Sequence, residues 1–219
     1  MLPTIKNICS LLNNENAPVE YYTWDKDSPR SPVMSLVTIS EERRKEYEAL
    51  PTELKKKYVS DSAHLIMPTV NVEALSDIFS FNPLHNVLYS DPTDGIIFDY
   101  EFTLEHINKI IPVSDNNEKF LFATYLVLHE LGHWNDFVSK NKIHYLYLDP
   151  SAYKKANEVK EQVMKKRREL KHKSRDRVKL MDSKRFTEYY NVPCENRANK
   201  YADRRLCEAY EIILHHFDI

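Results

Sequence analysis

Glycine is almost missing from this sequence, which has 219 residues and only Gly95 and Gly132. Loops that cradle phosphates, of the P-loop or dinucleotide type, need several glycines for close backbone approach, so nucleotide-dependent chemistry has no residues to be built from. Cysteine is equally scarce. Cys9, Cys194 and Cys207 are odd in number and contain no CxxC pair, which argues against a disulfide framework or a cysteine-rich zinc module and points to a reducing compartment. No stretch approaches the roughly 18–20 apolar residues that cross a bilayer, and the N-terminus has neither a cationic leader nor a long apolar core. A cytoplasmic, soluble protein is expected. Net charge is small too, at -2, so the chain as a whole is neither a nucleic-acid binder by charge nor an acidic tail.

What is present divides unevenly. Residues 1–35 read as a short helix followed by turns or an extended arm, ending in DSPRSPVMS. From Ser40 to Tyr58 the charges of SEERRKEYEALPTELKKKY, with Glu41 and Glu42 in the first turn, predict two short helices broken at Pro51. Between His64 and Thr103 come AHLIM and then HNVLYSDPTDGIIFDYEFT, where β-branched and aromatic residues flank a Pro, Asp and Gly cluster. This is the best hairpin pattern in the chain. LEHINKIIPV follows as a short helix or strand. SDNNEKFLFATYLVLHELGHWNDFVSK then starts with polar capping candidates and runs apolar on nearly every face, as a buried central helix does. A second core helix is expected from Pro193, where Ala198, Ala202, Leu206, Ala209 and Ile213 recur at helical spacing. Together these elements predict an α+β fold: a small antiparallel sheet or hairpin packed on a helical core, in one domain over residues 1–219.

The central helix carries HELGH. Residues four apart share a helical face, so His129 and His133 can aim ring nitrogens at one metal ion. Glu130 lies beside them, placed to take a proton from metal-bound water as a general base and deliver it to a leaving amine. Short motifs arise by accident, but two histidines and a glutamate are costly to bury in the most apolar helix of a protein without a compensating metal. Two imidazoles favour zinc or another transition metal over magnesium, which disfavours nuclease chemistry.

A catalytic zinc takes three protein ligands and leaves a position for water. Glu195 is the leading third ligand. It opens the second core helix in ENRANKYAD, where Ala198 and Ala202 are small enough to let that helix approach HELGH closely. Gly132 supports the same packing, since glycine inside a helix costs about 1 kcal/mol against alanine. Asp136, on the face of His133, and His144 are rivals, and Cys194 could coordinate as a thiolate, although a buried bystander is its ordinary fate. His215 and His216 read as a helix end. The metzincin extension is absent, with Ser139 where a histidine would stand. Tyr145, Tyr147, Tyr189, Tyr190 and Tyr201 are all candidates for stabilising an oxyanion. A strand around Ile96–Tyr100 could offer an edge to an extended peptide.

HELGH followed by ENRANKYAD resembles the ImmA/IrrE type of gluzincin metallopeptidases, with His129, Glu130, Gly132, His133, Glu195, Ala198, Asn199 and Ala202 matching and Tyr201 in an aromatic position. The likeness covers less than a third of the chain. It departs in the longer gap from His133 to Glu195 and in the polar DRRLCEAYE that follows. The resemblance implies a small cytosolic zinc peptidase that cleaves or relieves a transcriptional repressor.

A charged helical insertion at about 151–186, containing Lys165, Lys166, Arg167 and Arg168, is expected to be a solvated lid or, alternatively, a surface for an acidic partner or nucleic acid. The absence of aromatics between Lys154 and Arg185 disfavours single-strand binding. Two functions therefore stand: a Zn2+ metallopeptidase acting on a protein or peptide substrate, and a non-enzymatic regulator that zinc only stabilises and that binds a partner or nucleic acid through this insertion.

Overall fold

The computed structural model describes residues 3–24, 34–37, 44–51, 53–55, 63–79, 100–139, 158, 187 and 190–218. Helix α1 (Ile5–Leu12) starts with a reciprocal cap, in which Thr4 Oγ1 accepts the Asn7 N–H and Asn7 Oδ1 accepts the Thr4 N–H. Its buried face is Ile5, Ile8, Cys9 and Leu12, the i, i+3, i+4, i+7 spacing of a helix with one side in a core. Asn13 then clasps the backbone of Ala17 through both ends of its amide, at 2.9 Å each, and turns the chain into the sheet.

Three short strands form that sheet: β1 (Val19–Tyr22), β2 (Ser35–Val37) and β3 (His64–Pro68), in the order β1-β3-β2. The strand β3 is central and drives Leu65 and Met67 into the core. It pairs parallel with β1, Val19 opposite Leu65, and antiparallel with β2, Ser35 opposite Ile66. The fold is α+β, as expected, but the sheet is mixed rather than antiparallel. A parallel pair needs a long crossover, and the chain between β1 and β3 supplies it by way of β2 and the short helix α2 (Arg44–Ala49).

A single turn of 3-10 helix at Val72–Ala74 leads into α3 (Leu75–Phe79). Most of the predicted hairpin, with Ile96, lies outside the described residues. Its last part is helical: α4 spans Tyr100–Ile107, so Tyr100 does not end a strand. Tyr100, Thr103 and Ile107 are buried at i, i+3 and i+7, and this helical period prevails over the β propensity of the individual aromatic and β-branched residues.

Helix α5 (Glu118–Ser139) runs through the middle of the molecule, and every residue from Leu121 to Trp134 is buried. Helices α1, α4 and α6 and the sheet surround it, which is why its apolar residues occupy all faces. Before it, Asn117 accepts the Ser114 N–H and donates to the Pro112 carbonyl, closing the turn that starts the helix. Helix α6 (Pro193–Phe217) has proline in its first turn and ends at Asp218, whose left-handed φ of 54° lets its N–H cap the Leu214 carbonyl. Ala198, Ala202, Leu206, Ala209 and Ile213 are all buried along one face. No described helix is long and apolar enough to cross a membrane.

Candidate metal centre

The close approach of α5 and α6 is made by small residues. A Cβ placed on Gly132 would stand 2.9 Å from both the Cα and the carbonyl oxygen of Ala198, and 3.1 Å from Tyr201 Cβ. Only glycine fits there. One turn before Ala198, Glu195 faces the two histidines of α5, and His129, His133 and Glu195 form the one group of potential metal ligands among the described residues.

The three donor atoms make a compact triangle. His129 Nε2 and His133 Nε2 are 3.0 Å apart, and Glu195 Oε2 lies 3.1 Å from the first and 3.4 Å from the second. Atoms bound to one ion at about 2.0–2.1 Å with tetrahedral angles stand roughly 3.3 Å from each other, so the triangle already has the size of one face of such a site. Burial is nearly complete, with His129 at 1%, His133 at 6% and Glu195 at 1% exposure.

Proton placement supports the same reading. His129 Nδ1 meets Asn199 Oδ1 at 2.8 Å; a carbonyl oxygen can only accept, so the ring proton sits on Nδ1 and the Nε2 lone pair points into the triangle. There it confronts Glu195 Oε2, a second acceptor, with 2% side-chain exposure on each side. Two buried acceptors at contact need a positive centre between them, either a proton on the imidazole nitrogen or a metal ion, and two imidazoles with a carboxylate suit a metal. With protons rather than an ion in the triangle, burial would raise the Glu195 carboxyl, but the charges and hydrogen bonds of His133 and His129 outweigh it and hold the group well below the usual carboxylate range.

Glu130 is 3% exposed, and its Oε2 has no hydrogen-bond partner among the described residues. Burial pushes its carboxyl up to about 7, with His129 opposing and Glu195 adding to the rise.

The other described candidates lie outside the ligand group. Asp136 accepts a 2.7 Å hydrogen bond from Arg197 Nε. Cys194 is buried with its Sγ 3.8 Å from Glu195 Oε1, outside the ligand group. His215 and His216 are exposed in the last turn of α6. The Tyr201 hydroxyl donates to Glu15 and accepts from Arg205. The Tyr190 ring packs edge-on against Phe102 and tilted on His106, each with centroids 5.7 Å apart, and its hydroxyl, beside those of Tyr125 and Thr103, is close enough to feel the Glu195 charge. His144, Tyr145, Tyr147, Tyr189 and the insertion at about 151–186, apart from Glu158, lie outside the described residues.

Around His129 the structure adds residues to which sequence reasoning gave no role. Asn199 is one, and beyond it stand Tyr125, Asp203 and His106. A signal existed for three of them: Asn199 and Asp203 follow Glu195 at four and eight residues on one helical face, and Tyr125 precedes His129 by four. The chain matches no family model, no curated protein and no solved structure. What stands on the geometry is a buried two-histidine, one-glutamate triad on two helices, of the HExxH kind and able to hold a metal ion.

Proposed function

We propose that this protein is a zinc-dependent metallopeptidase of the gluzincin type, in which His129, His133 and Glu195 hold the ion and Glu130 is the general base. The observation that carries the reading is the donor triangle with the Glu130 carboxyl buried beside it, one oxygen unpartnered. Zinc in such a site supplies a Lewis acid for the scissile carbonyl and lowers the pKa of bound water from 15.7 to roughly 7. The chain's own residues do the rest. Asn199 keeps the His129 proton on Nδ1, so Nε2 is the ligand atom. Glu130 takes a proton at Oε2 and returns it to the leaving amine, a task suited to a carboxyl whose burial raises it to about 7. Apolar packing along α5 excludes bulk water from these charges. The resemblance of HELGH and ENRANKYAD to the ImmA/IrrE peptidases supports a cytosolic protein substrate, with a transcriptional regulator as the class to try first.

The test is metal content by elemental analysis together with cleavage of a mixed peptide library read by mass spectrometry. We expect one zinc per chain, lost in His133→Ala and Glu195→Ala and kept in Glu130→Gln, and cleavage reduced by about 10²–10⁴-fold in Glu130→Gln. Cleavage that survives Glu130→Gln, or metal indifferent to Glu195→Ala, would sink the proposal. A metal site that persists with no cleavage by the wild type would favour the regulatory role instead.

A further inference from the structure

Behind His129 a line of side chains leads out toward the surface. Asn199 Oδ1 accepts from His129 Nδ1 at 2.8 Å. The Tyr125 hydroxyl stands between two acceptors, 3.4 Å from that same Asn199 oxygen and 3.2 Å from Asp203 Oδ1. His106 Nε2 reaches Asp203 Oδ1 at 2.7 Å, and these last two side chains are 27% and 33% exposed. Four residues on three helices thus join the metal triad to the half-exposed edge of the molecule.

We propose that Asp203 and Tyr125, with His106 bracing Asp203, are positioning residues that set how strongly His129 binds the metal, acting through the Asn199 amide oxygen. This rests on the metal-site reading above. The hydroxyl of Tyr125 has one proton and, besides the neighbouring Tyr190 hydroxyl, two acceptors in reach, Asn199 Oδ1 and Asp203 Oδ1. It is a committed donor, because burial first, then the neighbouring Tyr190 and Asp203, raise its ionisation far above the ordinary phenol range. A carboxylate is the stronger acceptor and here also the nearer one, so the proton goes to Asp203. That leaves the Asn199 oxygen to serve His129 alone, which keeps the imidazole basic and correctly turned. Without the Asp203 charge, the same proton swings to Asn199. Two donors on one oxygen weaken each other, and His129 becomes the poorer ligand.

The experiment is zinc affinity, measured by competition with a chromophoric chelator, for the full chain and the variants Asp203→Asn, Tyr125→Phe and the two combined. Asp203→Asn is expected to weaken zinc by about 10-fold, the low end of the loss found when residues supporting a metal ligand are changed. Tyr125→Phe alone changes affinity by less than about 3-fold, since the Asn199 oxygen keeps its bond to His129. The combined variant recovers most of the affinity, because no proton is left to redirect. A merely structural role for Asp203 predicts the opposite, a combined variant at least as weak as Asp203→Asn. Unchanged affinity in Asp203→Asn, or no recovery in the combined variant, overturns the proposal. Should Asp203→Asn not fold, Asp203→Ala with and without Tyr125→Phe, which also removes the carboxylate charge, gives the same comparison. Absence of zinc from the wild type would be a failure of the metal site itself and is read separately.

Discussion

Replacing Gly132 by alanine sets two magnitudes against each other. Alanine inside a helix is favoured over glycine by about 1 kcal/mol, so on an open helix face the change would stabilise. At this position the new methyl would lie 2.9 Å from the Cα and the carbonyl oxygen of Ala198, well inside the carbon–carbon optimum of about 3.5–4.0 Å. Both atoms are backbone, so no rotamer change relieves the clash and α6 must move. Overpacking of this kind costs about 1–3 kcal/mol, and rigid neighbours place it toward the upper end, for a net loss of about 1–2 kcal/mol after the helix gain. Urea unfolding of the metal-free protein measures this as a lower midpoint with an unchanged slope. The displacement also carries Glu195, one turn before Ala198, away from the histidines. Metal ligands tolerate only about 0.2 Å, so zinc affinity falls as well. Ala198→Gly does not rescue the variant, because it removes a Cβ and leaves the offending Cα and oxygen in place. A Gly132→Ala protein as stable as wild type that binds zinc equally well would refute the close-approach argument.

Other perturbations separate the site from its surroundings. Asp136→Ala removes the carboxylate bonded to Arg197, a pair whose arginine is 39% exposed; unfolding should shift by less than about 1 kcal/mol, with zinc content unaltered, and zinc loss would restore Asp136 as a ligand. Ile8→Ala opens a cavity where α1 packs at 0% exposure and should cost about 2–5 kcal/mol by denaturant titration; a cost under 1 kcal/mol would mean that α1 is not part of this core. Chelation should lower the thermal midpoint, since free zinc at 100 times its dissociation constant stabilises by about 2.7 kcal/mol, and a midpoint indifferent to chelator in a scanning experiment would contradict a metal bound to the folded state.

The helices of the site were readable because their spacing reports burial directly. All-round apolarity marked α5 as central, the alanines marked the face of α6, and Gly132 marked where the two meet. The sheet was not readable in this way. Its strands are three to five residues long and β1 and β2 are only half-buried at best, so they lack the alternation that identifies a strand, and their pairing depends on partners distant in sequence. Tyr100–Thr103, the end of the expected hairpin, was misleading for the converse reason: β-loving residues there open a helix whose buried positions recur at helical spacing. The ligand triad followed from motif and composition, whereas Tyr125 and Asp203 took on meaning only once the two helices were in register.

The distance along the chain between the two halves of the triad has a consequence for synthesis. Glu195 follows His129 by 66 residues, so at ribosomal rates of about 5–20 residues per second the histidines wait roughly 3–13 s for their carboxylate. Through that interval the wall of α5 that α6 will cover, Gly132 included, is exposed on the nascent chain. The cluster of His129, His133 and Glu195 is therefore absent from the emerging chain and assembles only when α6 docks, so no ion can be shared by all three side chains before then.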